Sequence, residues 1–235
     1  MNINMDDELR LLKGSSFFID QIEIKPLTLN EIVEIGYTKY QQMLNVYILE
    51  LEDIVKEIPE EFNEIKIFDL LLNSGVNDLL ESLLSSIYMF FKPNNISVSN
   101  NEIILDDKKI NRDNWNYICE IIKLQNCVKR AEKEEYNPGN ERARKFIEKL
   151  NAMKKDIPKV KSDITLPSMI SGVAWKAQNI NIKNIWDLTI YQLYDALSRL
   201  NLIDDYQFTL TGIFAGTVDG KKIDMKKINW IKNII

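Results

Sequence analysis

The segment from residue 65 to residue 91 constrains the fold more than any other part of the sequence. Its apolar residues recur at helical spacing, and together they cover most of the circumference of a helix: Leu79, Leu80, Leu83, Leu84, Ile87, Phe90 and Phe91. A helix that is apolar nearly all round has to be covered on every side, so it belongs at the centre of a helical bundle. We therefore expect Leu79, Leu83, Ile87 and Phe90 to be almost fully buried, in a helix that Pro93 ends.

Alternation of apolar and polar residues, the pattern of a strand with one buried face, occurs in two short stretches. Residues 16–25 predict a strand or hairpin that Pro26 ends, and residues 96–105 contain two alternating runs around Asn100 and Asn101. Asparagine tolerates the positive φ of a tight turn, so the second stretch predicts a hairpin. We expect β-structure only in these two stretches.

Two helix starts can be recognised from residues that satisfy the free N–H groups of a first turn. Thr28 with Glu31, and Thr189 with Gln192, have the spacing of a capping box. Apolar residues at helical spacing follow each pair, which predicts one helix after the first box and a longer helix over residues 189–213. The first twelve residues are polar, and we expect them to be loose.

Glycine and proline are scarce, with 8 and 6 occurrences among 235 residues. β-Sandwiches and propellers need many tight turns, so this scarcity favours long helices. The sequence thus predicts a mainly α fold: a helical bundle with one or two small β-hairpins and a smaller helical C-terminal unit. We assign the bundle to residues 1–137, a charged helix and linker to residues 138–165, and the C-terminal unit with its basic tail to residues 166–235.

The absence of histidine removes the most common routes to catalysis. Histidine is the usual general base and a frequent metal ligand, and the sequence also lacks the glycine-rich loops that cradle phosphates. Acidic residues occur in adjacent groups, such as Asp106 with Asp107, whose side chains diverge instead of converging on one ion. We therefore expect a non-enzymatic protein without catalytic residues, cofactor or metal; an enzyme of an unfamiliar kind stays open as an alternative.

The cysteines and the net charge indicate the compartment and the partners. Cys119 and Cys127 lie eight residues apart on one predicted helix, about 12 Å at ~1.5 Å per residue, which is too far for a disulfide. Without a secretory signal this favours a reducing cytoplasm. The net charge of −5 gives no basic field for nucleic acid, and the longest apolar stretches are far too short to span a membrane. Neither nucleic acid nor a membrane is therefore an expected partner.

The tail after Gly216 differs from the rest of the negatively charged chain, because it carries Trp230 among several lysines. The lysines are Lys221, Lys222, Lys226, Lys227 and Lys232. A tryptophan in a basic segment can contact RNA, a membrane surface or an acidic partner. It can equally belong to a terminal segment that docks on its own domain, and the sequence leaves both interpretations open.

Two stretches carry a resemblance to a known group of proteins. They are residues 26–44 (PLTLNEIVEIGYTKYQQML) and residues 186–200 (WDLTIYQLYDALSRL), the latter followed by IFAGTVDGKKIDMKKINW. Both are similar to parts of small cytoplasmic proteins encoded among the tail genes of tailed phages of Gram-positive bacteria, which we connect with the tail assembly chaperones. The resemblance implies a helical protein, in the cytoplasm of the bacterial host, that coats the apolar helices of the tape measure protein before the tail tube polymerises. It implies other phage proteins as partners, namely the tape measure protein and the tail tube protein, and it carries no active-site residues.

Aromatic and apolar residues in the C-terminal half are the candidates for a surface that binds this client. They are Tyr191, Tyr194 and Trp230, extended by Phe146 and Met153 on the charged helix. The linker at residues 156–165 has little to bury and would let the C-terminal unit close over a client. Two other functions stay open: a structural tail or connector component of the phage particle, and a host-directed nucleic-acid-binding regulator that uses the basic tail. The sequence leaves the oligomeric state undetermined.

Overall fold

The computed structural model describes residues 3–50, 66–73, 77–99, 101–128 and 164–234. The fold is mainly α, as predicted: 58% of the described residues are helical, beside a two-stranded and a three-stranded antiparallel sheet. The N-terminal helices are α1 (Met5–Lys13), α2 (Leu29–Ile35), α3 (Tyr37–Asn45), α4 (Ile67–Asn73), α5 (Asn77–Phe91) and α6 (Trp115–Gln125). The C-terminal helices are α7 (Leu166–Lys176), α8 (Ile190–Phe214) and α9 (Met225–Ile228), with 3-10 turns at Ile185–Asp187 and Gly220–Lys222. Within these ranges, no helix combines the length and the apolarity needed to cross a membrane.

Helix α5 lies in the core of the N-terminal part, as the apolar residues around most of its circumference predict. Leu83 and Ile87 have no exposed surface, and Phe90 is 3% exposed. Leu79 is only partly buried, in contrast to the prediction, because it lies in the first turn and packs at the edge of the core. Among the side chains of α5 that the structure describes, Ser86 is the one polar residue that is buried, and its hydroxyl donates to the Leu83 carbonyl at 2.7 Å. Burial is tolerated because this bond satisfies the hydroxyl.

An aromatic cluster joins α5 to its neighbours in the core. The ring of Trp115, at the start of α6, stacks on Tyr47 at a centroid distance of 5.3 Å and lies 5.2 Å from Phe68. Phe90 meets the edge of Tyr47 at 5.2 Å. Large rings bury much apolar area each, so this cluster is a main source of stability for the N-terminal part.

The expectation that the N-terminus is loose is wrong, because α1 forms there. The Asn4 side chain accepts from the Asp7 N–H at 2.9 Å, and the Asp7 carboxylate accepts from the Asn4 N–H, which closes a capping box. The other end stops at Gly14 with φ 70°. Acidic residues in the first turn and basic residues in the last also match the helix dipole. The caps and charges at its two ends, together with the burial of Leu11, stabilise α1 although the segment is mostly polar.

Both predicted hairpins are present. Strands β1 (Phe17–Ile19) and β2 (Ile22–Ile24) pair with Ile19 opposite Ile22, and the two turn residues between them both have positive φ. Strands β3 (Ile96–Ser99) and β4 (Glu102–Leu105) pair as predicted, with φ 59° at Asn101. The prediction that β-structure occurs only in these two stretches is wrong in one respect, because β5 (Lys108–Ile110) adds a third strand to this sheet. Three residues are too few to show alternation in a sequence.

The start of α8 is bonded to the N-terminal part of the chain. The Leu29 N–H donates to the Leu188 carbonyl at 2.8 Å, and Thr28 forms a β-bridge with Thr189. The division into a bundle, a linker and a C-terminal unit stays a prediction. The boundary at residue 137 lies outside the described residues, as do Phe146, Met153 and all of the linker except its last two residues.

Candidate protein-binding groove

Three adjoining cavities lie where the start of α8 meets α2, α3, α7 and the end of α6. Their volumes are about 450, 280 and 270 Å³. The first and second cavities share Cys127, Val128 and Tyr194, and the second and third share Tyr37 and Leu166. Since neighbouring cavities share lining residues, the three lie side by side, and we call them together the helical groove.

Most residues that line the helical groove are apolar or aromatic. The first cavity is lined by Ile3, Lys123, Leu124, Cys127, Val128, Tyr191, Tyr194, Asp195, Ser198 and Ile234. The third, at the other end, is lined by Leu29, Ile32, Val33, Tyr37, Leu166, Pro167, Ile170, Ser171, Ile182 and Trp186. A cleft with this lining suits an apolar ligand better than a charged one.

The wall from α8 is held in place by the capping box at its start. The Thr189 N–H donates to Gln192 Oε1 at 2.8 Å, and the Gln192 N–H donates back to Thr189 Oγ1 at 3.3 Å. Gln192 Nε2 also donates to the Leu12 carbonyl at 2.8 Å, which ties α8 to the end of α1. The box predicted from the sequence therefore fixes the turn of α8 that carries Tyr191 and Tyr194.

The opposite wall depends on a bend that the sequence analysis did not anticipate. A single helix was predicted after Thr28, but Gly36 divides it into α2 and α3 with φ 89°. A residue with a Cβ rarely adopts this φ, so glycine is needed here. The bend turns Tyr37 toward the groove, and the capping box between Thr28 and Glu31, with the Thr28 N–H donating at 2.9 Å, holds the start of α2.

The groove floor is held by a buried tyrosine. Tyr40 is 1% exposed, and its hydroxyl donates to Asn126 Oδ1 at 2.5 Å. Asn126 Nδ2 donates in turn to the Ile122 carbonyl at 2.7 Å, which orients the amide. The chain after α6 is thereby fixed where Cys127 and Val128 line two of the cavities.

The hydroxyls of Tyr40, Tyr191 and Tyr194 stay neutral near pH 7. Burial raises the pKa of Tyr191 to about 12, with a further increase from the Asp195 carboxylate. Burial also raises the pKa of Tyr194, assisted by Cys127 and Tyr37, and it raises the pKa of Tyr40. The rings therefore present apolar faces and neutral hydroxyls to any ligand.

The structure brings together two of the five residues proposed to bind a client. Tyr191 and Tyr194 both line the first cavity; Tyr191 is 8% exposed and Tyr194 is 40% exposed. Trp230 lies outside the residues that line the groove, and its carbonyl accepts from Arg199 on α8, as the Lys232 carbonyl does at 3.0 Å. The tail thus docks on its own domain through its backbone.

Most of the groove could not be predicted from the sequence. Tyr37, Leu166, Ile182 and Trp186 line it from segments far apart in the chain. The only local signal was Gly36 inside a predicted helix. A glycine at such a position indicates a bend, but it does not indicate which residues face one another across the bend.

Other chemical groups in the described residues have structural roles. Burial raises the pKa of the Cys119 thiol to about 12, so this thiol is protonated near pH 7. The Asp106 carboxylate accepts from the N–H groups of Asn94 and Asn95, and Asp204 pairs with Lys176. In the part of the chain that the structure describes, no three histidine, cysteine, aspartate or glutamate side chains are grouped to hold a metal ion.

Comparison with known proteins bears on the C-terminal part of the chain. A family model described as the YomV second domain matches residues 155–235. This match indicates a phage-type protein family. The matched range contains α7, α8 and α9, so it includes one wall of the helical groove, whereas α2, α3 and α6 lie outside it. No curated protein and no solved structure matches the chain.

Proposed function

We propose that this chain is a non-enzymatic phage tail assembly chaperone whose helical groove holds apolar helical segments of the tape measure protein during tail morphogenesis. The observation that carries the proposal is the row of three adjacent cavities, which share apolar and aromatic lining residues. The phage-type family of the C-terminal part and the resemblance to tail assembly chaperones supply the biological setting.

A tape measure protein needs such a cover because long helices with exposed apolar stripes aggregate. A groove between helices accepts the apolar face of another helix, whose residues at positions i, i+3, i+4 and i+7 enter it as anchors. Burying one large aliphatic or aromatic side chain contributes about 1.5–3 kcal/mol. Several anchors are needed to offset the loss of translational and rotational freedom, so three adjacent cavities suit a helix better than a single small cavity does.

The polarity of the groove suits reversible binding. Among the described residues that line the groove, charged side chains are confined to the first cavity, where Lys123 and Asp195 lie. The other two cavities offer apolar contacts, hydroxyls and the uncharged amides of Gln41 and Asn126, so a client can leave without uncovering a buried unpaired charge. A chaperone that gives its client to the tail tube protein requires this property.

Co-expression with the tape measure protein of the same genome tests the proposal. We expect the tape measure protein to stay in the supernatant after centrifugation when the full chain is present, and to pellet with an empty vector. Equal pelleting in both cases contradicts the proposal, because the exposed apolar stripes would then have no cover.

The composition of purified phage particles separates this function from that of a structural component. A chaperone leaves before assembly is complete, so mass spectrometry of the particles should detect the tail tube and tape measure proteins without this chain. Its presence in the same amount as a known tail component would favour a structural tail or connector protein instead.

A further inference from the structure

The tail turns back at the end of α8 and runs beside this helix toward the helical groove. Val218 packs on Gly212, where an added Cβ would lie 2.8 Å from a Val218 methyl carbon. Farther along the tail, the carbonyls of Trp230 and Lys232 accept hydrogen bonds from Arg199. Arg199 lies about 22 Å before the end of α8, at ~1.5 Å per residue, so the tail returns over more than half of the helix.

The last described residues of the tail lie at the first cavity of the helical groove. Ile234 lines this cavity, as does Ile3 from the other end of the described chain. Asn233 Nδ2 lies 3.5 Å from Glu8 Oε1, so the tail also meets α1. The tail is therefore part of the groove, although Trp230 is not.

Ile3 and Ile234 add apolar surface where the groove is most polar. The same cavity is lined by Lys123, Asp195 and Ser198. An apolar anchor residue gains free energy in proportion to the apolar area that is removed from water, and polar neighbours provide little of it. The two isoleucines therefore improve this end of the groove as a site for an apolar side chain.

The core gives little reason for the return of the tail. Among residues 217–234, which the structure describes, none is buried. Trp230 is 39% exposed and Ile231 is 68% exposed. A segment with so few buried contacts is held mainly by its hydrogen bonds and opens at a low cost in free energy. Its position beside the groove is better explained by the groove than by the core.

Arg199 fixes the part of the tail that precedes Ile234. Its Nη1 donates to the carbonyl of Trp230 and to that of Lys232, the latter at 3.0 Å. Its Nη2 lies 3.8 Å from Asp195 Oδ1, and Asp195 lines the first cavity. The carboxylate thus orients the guanidinium, and the guanidinium holds the backbone two residues before Ile234. Hydrogen bonds with an ionised donor are roughly twice as strong as neutral ones.

We infer that Ile234 is a client-binding residue of the helical groove and that Arg199 is the residue that positions it. The inference rests on the function proposed above, because the ligand is an apolar anchor residue of a tape measure helix. An anchor in the first cavity packs against Ile234 of the tail as well as Tyr194 of α8. When the bonds to Arg199 break, the tail leaves and the cavity loses Ile234. Arg199 therefore acts on the client through the tail.

Limited proteolysis tests the role of Arg199 without a client. Arg199→Met keeps a long side chain but removes the hydrogen-bond donors. We expect trypsin to cleave after Lys227 and Lys232 at least about fivefold faster in this variant, because cleavage of a docked segment requires it to open. Arg199→Lys, whose ammonium can still donate to a carbonyl, should be cleaved at an intermediate rate. Equal rates for the wild type and Arg199→Met would overturn the positioning role.

Calorimetry with a client segment tests the role of Ile234. The probe is a synthetic peptide of the tape measure segment that stays bound to the full chain when the co-expressed complex is treated with protease. Ile234→Asp should raise its dissociation constant about tenfold, because the anchor loses an apolar contact and the carboxylate resists desolvation. The matched control is Ile231→Asp, in the same part of the tail but outside the residues that line the groove, and it should bind as the wild type does.

The outcomes separate this inference from the proposed function. If the wild type binds a tape measure segment and Ile234→Asp binds it as tightly as the control does, the inference is overturned and the proposed function stands. If the wild type binds no tape measure segment, both are overturned. Circular dichroism shows whether each variant is folded, and a chain shortened after Ile228 gives a second test, because it should show the same tenfold loss as Ile234→Asp.

A double variant tests whether Arg199 acts through the tail. Arg199→Met alone should weaken binding about as much as the shortened chain does, because the tail is undocked in one and absent in the other. Adding Ile234→Asp to Arg199→Met should then change the dissociation constant by less than about twofold, since residues that act as a unit have non-additive effects. Two effects that multiply would mean that Arg199 acts on the client by another route, and they would overturn its assignment as the positioning residue.

Discussion

Replacing Tyr194 with aspartate is expected to weaken binding of the tape measure protein by about 30-fold or more, which corresponds to about 2 kcal/mol. Tyr194 lines both of the larger cavities of the helical groove, so an anchor residue of the client has to pack against its ring. A carboxylate there would be desolvated by the client without a cationic partner from an apolar helix face. In co-expression, most of the tape measure protein should pellet.

The matched control is Tyr117→Asp. Tyr117 lies on α6 with 60% exposure and lines a different cleft, together with Phe17 and Phe18. The same change of residue type, made away from the groove, should leave the client soluble. If both variants keep the client soluble, the groove is not the binding surface, and if both lose it, the effect comes from added charge and not from the groove.

Replacing Trp115 with alanine is expected to lower the free energy of unfolding by about 3–5 kcal/mol. The Trp115 side chain is 1% exposed and contacts the rings of both Tyr47 and Phe68, so its removal leaves a large cavity between α6, α4 and the turn after α3. Urea denaturation followed by circular dichroism measures the change.

Trp175→Ala is the control for this loss of stability. Trp175 is 84% exposed near the end of α7, so the same substitution should change the free energy of unfolding by less than about 0.5 kcal/mol. Similar losses for the two variants would mean that the aromatic cluster does not stabilise the fold as described.

The elements that could be predicted from the sequence are those determined by local contacts. Apolar residues occupy most of the circumference of α5, and they must be buried whichever elements surround the helix. Leu83 and Ile87 are therefore buried as predicted. The capping boxes at Thr28 and Thr189 were also predicted, because each bond joins residues three positions apart. Local chemistry of this kind does not depend on the rest of the fold.

The elements that were missed depend on weak or distant signals. Helix α1 is short and polar, and it is stabilised by its ends and by the burial of Leu11 in a core built from other segments. The groove depends on Gly36, which turns α3, and on hydrogen bonds such as that from Leu29 to Leu188. Contacts between residues so far apart in sequence leave no periodicity, so Tyr194 could be proposed from its composition and placement but its neighbours could not.

Photo-crosslinking from position 194 shows whether tape measure helices lie in the helical groove. A photoreactive phenylalanine analogue replaces Tyr194 in one sample and Tyr117 in the control, each is co-expressed with the tape measure protein, and crosslinked peptides are identified by mass spectrometry. We expect crosslinks from position 194 to apolar positions of tape measure helices, spaced by three or four residues, and no client crosslinks from position 117. Client crosslinks from position 117 but none from position 194 would contradict this expectation.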